Sequence, residues 1–213
     1  MTKSLRPMKK IMFNDQYNLT DAVLKKTKTM TRRLVNFPPG DLAIFNAMTP
    51  VEREALTPVV IDRYSKYQVG DEVAIAMMYY LLEDHYKRNT YVRSKMQAEG
   101  LTFKKLHGEQ GCWNKMFVRA DLMPWRIVIT AVRIERLQDI SYQDALREGI
   151  ELSPDGKFFV QDLSYRIHRC WSQLFYFDRP QDAFKKLICR MYNNKLWEDN
   201  PWVFVYSFKL KKS

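Results

Sequence analysis

The sequence predicts an α+β fold: a small mixed β-barrel with flanking helices and a charged helical insertion. Three observations carry this expectation. Short apolar runs with strand-like alternation or β-branched content recur along the chain, single amphipathic helices separate them, and the stretch 82–111 turns highly charged between two strands. With 213 residues and 46% hydrophobic content, the chain suits a single domain, 1–213, with a sizeable core and one insertion at about 82–111.

Taken in order, "KKIMFN" (9–14) reads as a first short strand. "NLTDAVLKK" reads as a helix capped by Asn18 or Thr20, with Leu19, Val23 and Leu24 on its buried side. Four prolines at 38, 39, 50 and 58 make 36–68 a loop carrying one helical turn after Thr49. In "YQVGDEVAIAMMYY" a Gly-Asp turn feeds a buried strand, and 82–111 follows as a solvated helical excursion. "WRIVITAVRIERL" (125–137) is long and β-branched enough for a central strand. "SYQDALREGI" opens a helix with Ser141 and Asp144 in capping-box spacing. "IELSPDGKFFV" is a hairpin turning at Pro154, Asp155 and Gly156. Leu163, Ile167, Trp171 and Leu174 repeat at helical spacing, and Pro180 starts a helix that buries Ala183, Phe184, Leu187, Ile188 and Met191. "NPWVFVYSFKL" alternates as a last strand.

The formal net charge is +11, and residues 1–40 hold nine Lys/Arg against Asp15 and Asp21, a local excess of +7. On a folded surface such an excess attracts polyanions. No apolar run reaches the length of a membrane span and the N-terminus has no signal-peptide core, so no membrane partner is expected. Three cysteines without a C-x-x-C pair suit free thiols in a cytoplasm. Walker, dinucleotide, nucleophile-elbow and zincin motifs are absent. His107 and Cys112 lack a second ligand pair, and neither a metal nor a cofactor is expected.

The densest chemistry lies in "KTKTMTRR" (26–33). Lys28 and Thr31 share a face only if the segment turns helically; an extended segment parts them. Arg32 and Arg33 offer planar donor forks to phosphate, or pair with acids such as Asp71 and Glu72. The alternative for the whole stretch is a solvated basic loop after a helix. Trp113, Asn114 and Lys115 combine a ring, an amide and a cation suited to stacking a base and reading its edge; alternatively Trp113 seals one end of the barrel. Trp197 reads as core, Trp202 as cleft wall or core, and Arg126 or Lys115 as the opposite wall of a cleft that Lys28 and Thr31 face.

"LKKTKTMTRR", "YQVGDEV" and "RIVITAVRIERLQDIS" with "NPWVFVYSFK" together resemble the ASCH family of the PUA-like superfamily, whose members include small phage and prophage proteins. The resemblance implies a PUA-like barrel with a cleft for RNA or nucleotides. In one branch it implies an amidohydrolase acting on N4-acetylcytidine with a Lys, a Thr and a Glu. Lys28 and Thr31 match the first two, whereas aligning the central strand puts Val128 where the carboxylate should stand. Glu72 is the next candidate for that role. The expectation is a phage-encoded binding protein in a bacterial cytoplasm, using Lys28, Thr31, Arg32, Arg33, Trp113, Asn114, Lys115 and Arg126; hydrolysis and capture of a host protein are the alternatives.

Overall fold

A computed structural model describes residues 7–83, 86, 89–163 and 175–211, with Tyr91 described by its backbone alone. The architecture is mixed α+β, with a five-stranded sheet in the order β1-β3-β4-β7-β2. These strands are β1 (Lys9–Ile11), β2 (Met30–Leu34), β3 (Glu72–Ile75), β4 (Arg126–Arg136) and β7 (Trp202–Lys211). Parallel β1/β3 pairing beside antiparallel β3/β4 and β2/β7 pairing makes the sheet mixed. The long β-branched run thus takes the centre of the sheet, as its composition requires. By contacts the chain divides into two compact units. One holds 1–14, 72–128 and 210–213, and the other holds 15–71 and 129–209.

In the first unit, β3 feeds a core of Ala74, Ala76, Tyr79, Leu82, Tyr86, Val92, Met96, Leu106, Val118, Leu122 and Met123. Five of these lie within 82–111, which corrects the expectation of a solvated excursion there. Helices α4 (Thr90–Ala98) and α5 (Phe103–His107) bury Val92, Met96 and Leu106 and turn their charges outward. Val92 and Met96 sit at i, i+4, a periodicity hidden by the dense charge around them.

In the second unit, α1 (Leu19–Leu24) begins after Asn18, which is left-handed and makes no side-chain cap. Two helices replace the loop expected over 36–68: α2 (Pro39–Ala47) and α3 (Pro50–Tyr64). Pro39 and Pro50 occupy first helical turns, where a missing N–H costs nothing, so they start helices rather than break them. Thr49 and Glu52 complete a capping box, with Thr49 Oγ1 accepting from the Glu52 N–H at 3.3 Å and Glu52 Oε2 accepting from the Thr49 N–H at 2.7 Å. The hairpin forms as β5 (Glu151–Leu152) with β6 (Phe158–Phe159), following α6 (Tyr142–Arg147). The helix expected over Leu163–Leu174 falls outside the described residues apart from Leu163 itself, as do His85, His168, Cys170 and Trp171.

Helix α7 (Pro180–Met191) buries Ala183, Phe184, Leu187 and Ile188, while Met191 is only half-buried, a correction at the end of its apolar stripe. Trp197, in α8 (Asn194–Asp199), is half-buried with its ring edge-on to Phe184 at 6.4 Å. Trp202 donates from its indole to Asn46 at 2.9 Å and lies 4.2 Å beneath the Arg136 guanidinium. Among the described residues no helix is long and apolar enough to cross a membrane, and no group of three or more His, Cys, Asp or Glu could hold a metal.

Candidate active site

After α1 the chain reverses through Lys26, whose φ is +65°, and the N–H groups of Thr27 and Lys28 both donate to the Ala22 carbonyl at 3.0 Å. The Thr29 N–H then donates to the Arg147 carbonyl at 2.9 Å, tying the entry of β2 to the end of α6. This places Lys28 against the C-terminus of α6, where the exposed carbonyls and the helix dipole favour a cation. Lys28 Nζ donates to the Glu148 carbonyl at 2.7 Å and to Glu148 Oε2 at 2.6 Å. Lys28 is 2% exposed and Glu148 4%, so this is a buried ion pair and the solvated basic loop is corrected.

Gly149 makes the approach possible. Its φ is +96°, and a Cβ there would lie 3.4 Å from both Leu19 and the Lys28 Cβ. Only glycine takes this turn at low cost while lying flat on the lysine stem.

From β2, Arg32 reaches the same carboxylate, Nη1 donating to Glu148 Oε1 at 2.9 Å and Nε to Glu135 Oε1 at 3.0 Å. Arg133 holds the other Glu135 oxygen at 2.9 Å and also donates to Asp144. Asp144 therefore answers Ser141 only half-way: Ser141 Oγ accepts the Asp144 N–H at 3.1 Å, while the Asp144 carboxylate turns to the arginines. Lys28, Arg32 and Arg133 match Glu135, Asp144 and Glu148 charge for charge.

Burial pushes the Lys28 ammonium below its ordinary pKa; the Glu148 carboxylate opposes this without cancelling it, and Arg33 and Arg32 add to the depression. For Arg32 burial acts downward as well, but Glu148 and Glu135 outweigh it and hold the guanidinium charged. A buried network of this kind contributes little net stability compared with an apolar core of equal volume. A lysine with a depressed pKa clamped to a carboxylate is, in contrast, what acid–base chemistry uses.

The remaining candidates divide between the two units. Thr31 is buried in extended β2, opposite Tyr206. Strand alternation puts it on the other face from Met30 and Arg32, with Arg33 beside it. Lys28 and Arg32 meet at Glu148, and Thr31 is not among the partners of that carboxylate. Arg33 lies near enough to Tyr67 and Tyr206 to lower both phenols electrostatically, against the larger upward effect of their burial.

In the first unit, Trp113 is 72% exposed, which corrects the alternative reading of it as a barrel seal. Asn114 Oδ1 accepts from the Met116 N–H at 2.9 Å, and Lys115 Nζ donates to the Phe13 carbonyl. Arg126 Nη1 donates to Glu72 at 2.7 Å, and Lys211 holds the other Glu72 oxygen. Val128 stands opposite Glu72 in the β3/β4 ladder.

Glu148, Glu135 and Asp144 were not singled out as site residues from the sequence, yet Glu148 left a signal. An acid at the C-terminal end of a helix opposes the macrodipole, and it is tolerated where a cation meets it. Compared with family models, curated proteins and solved structures, the chain gives no match.

Proposed function

We propose that the chain is an amidohydrolase acting on N4-acylated cytidine, on a PUA-like ASCH domain, with Lys28 and Glu148 as its working residues and Thr31 outside them on the other face of β2. The observation that carries this reading is the buried contact of Lys28 Nζ with the Glu148 carboxylate at 2.6 Å. It supplies the carboxylate that the resemblance requires, from the end of α6 instead of from the central strand at Val128. Glu148 positions Lys28 and exchanges a proton with it. In its neutral form Lys28 takes a proton from water, and the water oxygen adds to the acyl carbonyl. The C–N bond then breaks as the leaving nitrogen of the base receives from the Lys28 ammonium the proton taken in the first step. The carboxylic acid leaves, and Lys28 and Glu148 return to their starting protonation.

Because Lys28 and Arg32 are already matched by carboxylates, this reading favours a free acylated nucleoside over a phosphate backbone as the ligand at this site. The setting it implies is a bacterial cytoplasm, in which free thiols such as Cys112 and Cys189 persist.

The test is product release from N4-acetylcytidine. Turnover is expected for the wild type, with a loss of about 10²- to 10⁴-fold in Glu148→Gln, the usual contribution of an acid–base group. Lys28→Met is expected to abolish turnover, while Thr31→Ala leaves it unchanged and Val128→Glu gains nothing. Folded wild-type protein without turnover, or folded Lys28→Met at the wild-type rate, overturns the assignment.

A further inference from the structure

We propose that the Tyr80–Trp113 ring pair is a stacking platform for single-stranded nucleic acid, separate from the Lys28–Glu148 site. The two rings stack at 5.0 Å between centroids and 28° between planes, with Tyr80 41% and Trp113 72% exposed. Tyr80 covers one side of the indole, and at that exposure the other side is open to solvent. Leu81, Met116 and Phe117 in the neighbouring turns are also exposed. A folded chain leaves so large an apolar surface open where something else covers it.

The platform is built rather than loose. Tyr79, next to Tyr80, is fully buried, and its hydroxyl accepts from the Arg119 N–H at 2.9 Å. Gly111 lies so close to that ring that a Cβ would come within 2.5 Å of it, so the loop leading to Trp113 rests flat on Tyr79. On the far side of the loop Lys10 Nζ donates to the carbonyls of Met116 and Val118 at 2.6 Å each, and Lys115 donates to Phe13. The loop that carries the indole is thereby fixed to β1.

Charge identifies the occupant. Segments 1–14, 72–128 and 210–213 contain 15 Lys/Arg against 6 Asp/Glu, or +9 of the chain's +11. The other unit is close to neutral, since its basic residues are matched by acids. Lys104 and Lys105 are exposed on α5, which packs against the turns that present Tyr80 and lead to Trp113. A single strand offers flat rings and phosphates together, and every base has a face to stack. An acidic protein surface offers the charge without the rings.

The experiment is fluorescence anisotropy of labelled oligo(U) and oligo(dT) of about 12 nucleotides, within the usual site size for such surfaces. Binding to either is expected, with log affinity falling by about 0.7 per phosphate neutralised for each log unit of salt. Trp113→Ala is expected to weaken binding about 5- to 150-fold, and Trp113→Phe, which keeps a π-face, to restore most of it. Lys104→Gln with Lys105→Gln is expected to flatten the salt slope by roughly one unit. These side chains are exposed, so the substitutions leave the core intact. Wild-type affinity in Trp113→Ala overturns the proposal, as does absence of binding to both oligonucleotides, with or without binding to polyglutamate. None of these residues belongs to the hydrolase site, so the two proposals fail independently.

Discussion

Glu148→Gln isolates the electrostatics of the Lys28 pair, because it keeps the shape of the side chain and removes its charge. The ammonium, 2% exposed, would then lose its carboxylate partner, while the Glu148 carbonyl at 2.7 Å still accepts one of its hydrogens. Removing one partner of a buried ion pair costs about 3–5 kcal/mol. The retained hydrogen bond and the link from Arg32 to Glu135 place this case near about 3 kcal/mol. For a chain of this size that corresponds to a fall of about 6–12 °C in Tm. The pH dependence is the sharper signature. Burial already lowers the Lys28 pKa against the pull of Glu148, and without that carboxylate the pKa falls further. Between the folded pKa and 10.5 the unfolded chain then binds more protons than the folded one, so stability rises with pH. Urea midpoints between pH 7 and pH 9 are expected to climb in the variant and to change far less in the wild type. A wild-type Tm together with a flat pH profile in Glu148→Gln would refute the buried pair.

Two further substitutions or conditions read other parts of the second unit. Gly149→Ala is expected to cost about 1–2 kcal/mol in urea unfolding from its left-handed backbone, plus the contacts at 3.4 Å, while Gly70→Ala, at φ +89° with open space around it, loses only the backbone part. Equal costs at the two positions would show that Gly149 does not have to lie against Lys28. Burial pushes the Tyr67 phenol up to about 12. As pH rises from 10 toward 12 the unfolded chain releases a proton that the folded chain keeps, so up to about 3 kcal/mol of stability is lost in that window, followed by unfolding against pH with Tyr67→Phe as the control.

The chain's periodicities placed four of the five strands of the main sheet, whereas β2, with Thr31, Arg32 and Arg33 among its five residues, carries no apolar alternation and reads in the sequence as a turn or a basic loop. The β-branched run 126–136 occupies the sheet centre, and the Gly70-Asp71 turn feeds β3. Helices were harder wherever composition masked period. In α4 the buried pair Val92 and Met96 is embedded among Arg93, Lys95 and Glu99, so a count of charges reads as solvent. In 36–68 prolines were read as breakers, although Pro39 and Pro50 stand at the one helical position where proline fits. The capping box at Thr49 and Glu52 marked that start in the sequence itself.

The candidate site was half legible for a different reason. Lys28 and Arg32 announce themselves by local density, since eight residues hold four cations. The carboxylates that meet them come from positions 135, 144 and 148, more than a hundred residues away. No local pattern encodes a partner at that separation, and an alignment confined to the central strand could only reach Val128. What the sequence did carry was a local inconsistency. Glu148 ends α6 against the dipole, with its carbonyl and Oε2 on Lys28 Nζ and Oε1 on Arg32, and Gly149 follows at φ +96°. An acid that is unfavourable for its own helix implies a cation from elsewhere. Lys28, whose neighbours in sequence are Lys26, Arg32 and Arg33, is equally unfavourable in its own segment. Each charge is costly where its local sequence puts it, and the fold makes both tolerable by setting one against the other.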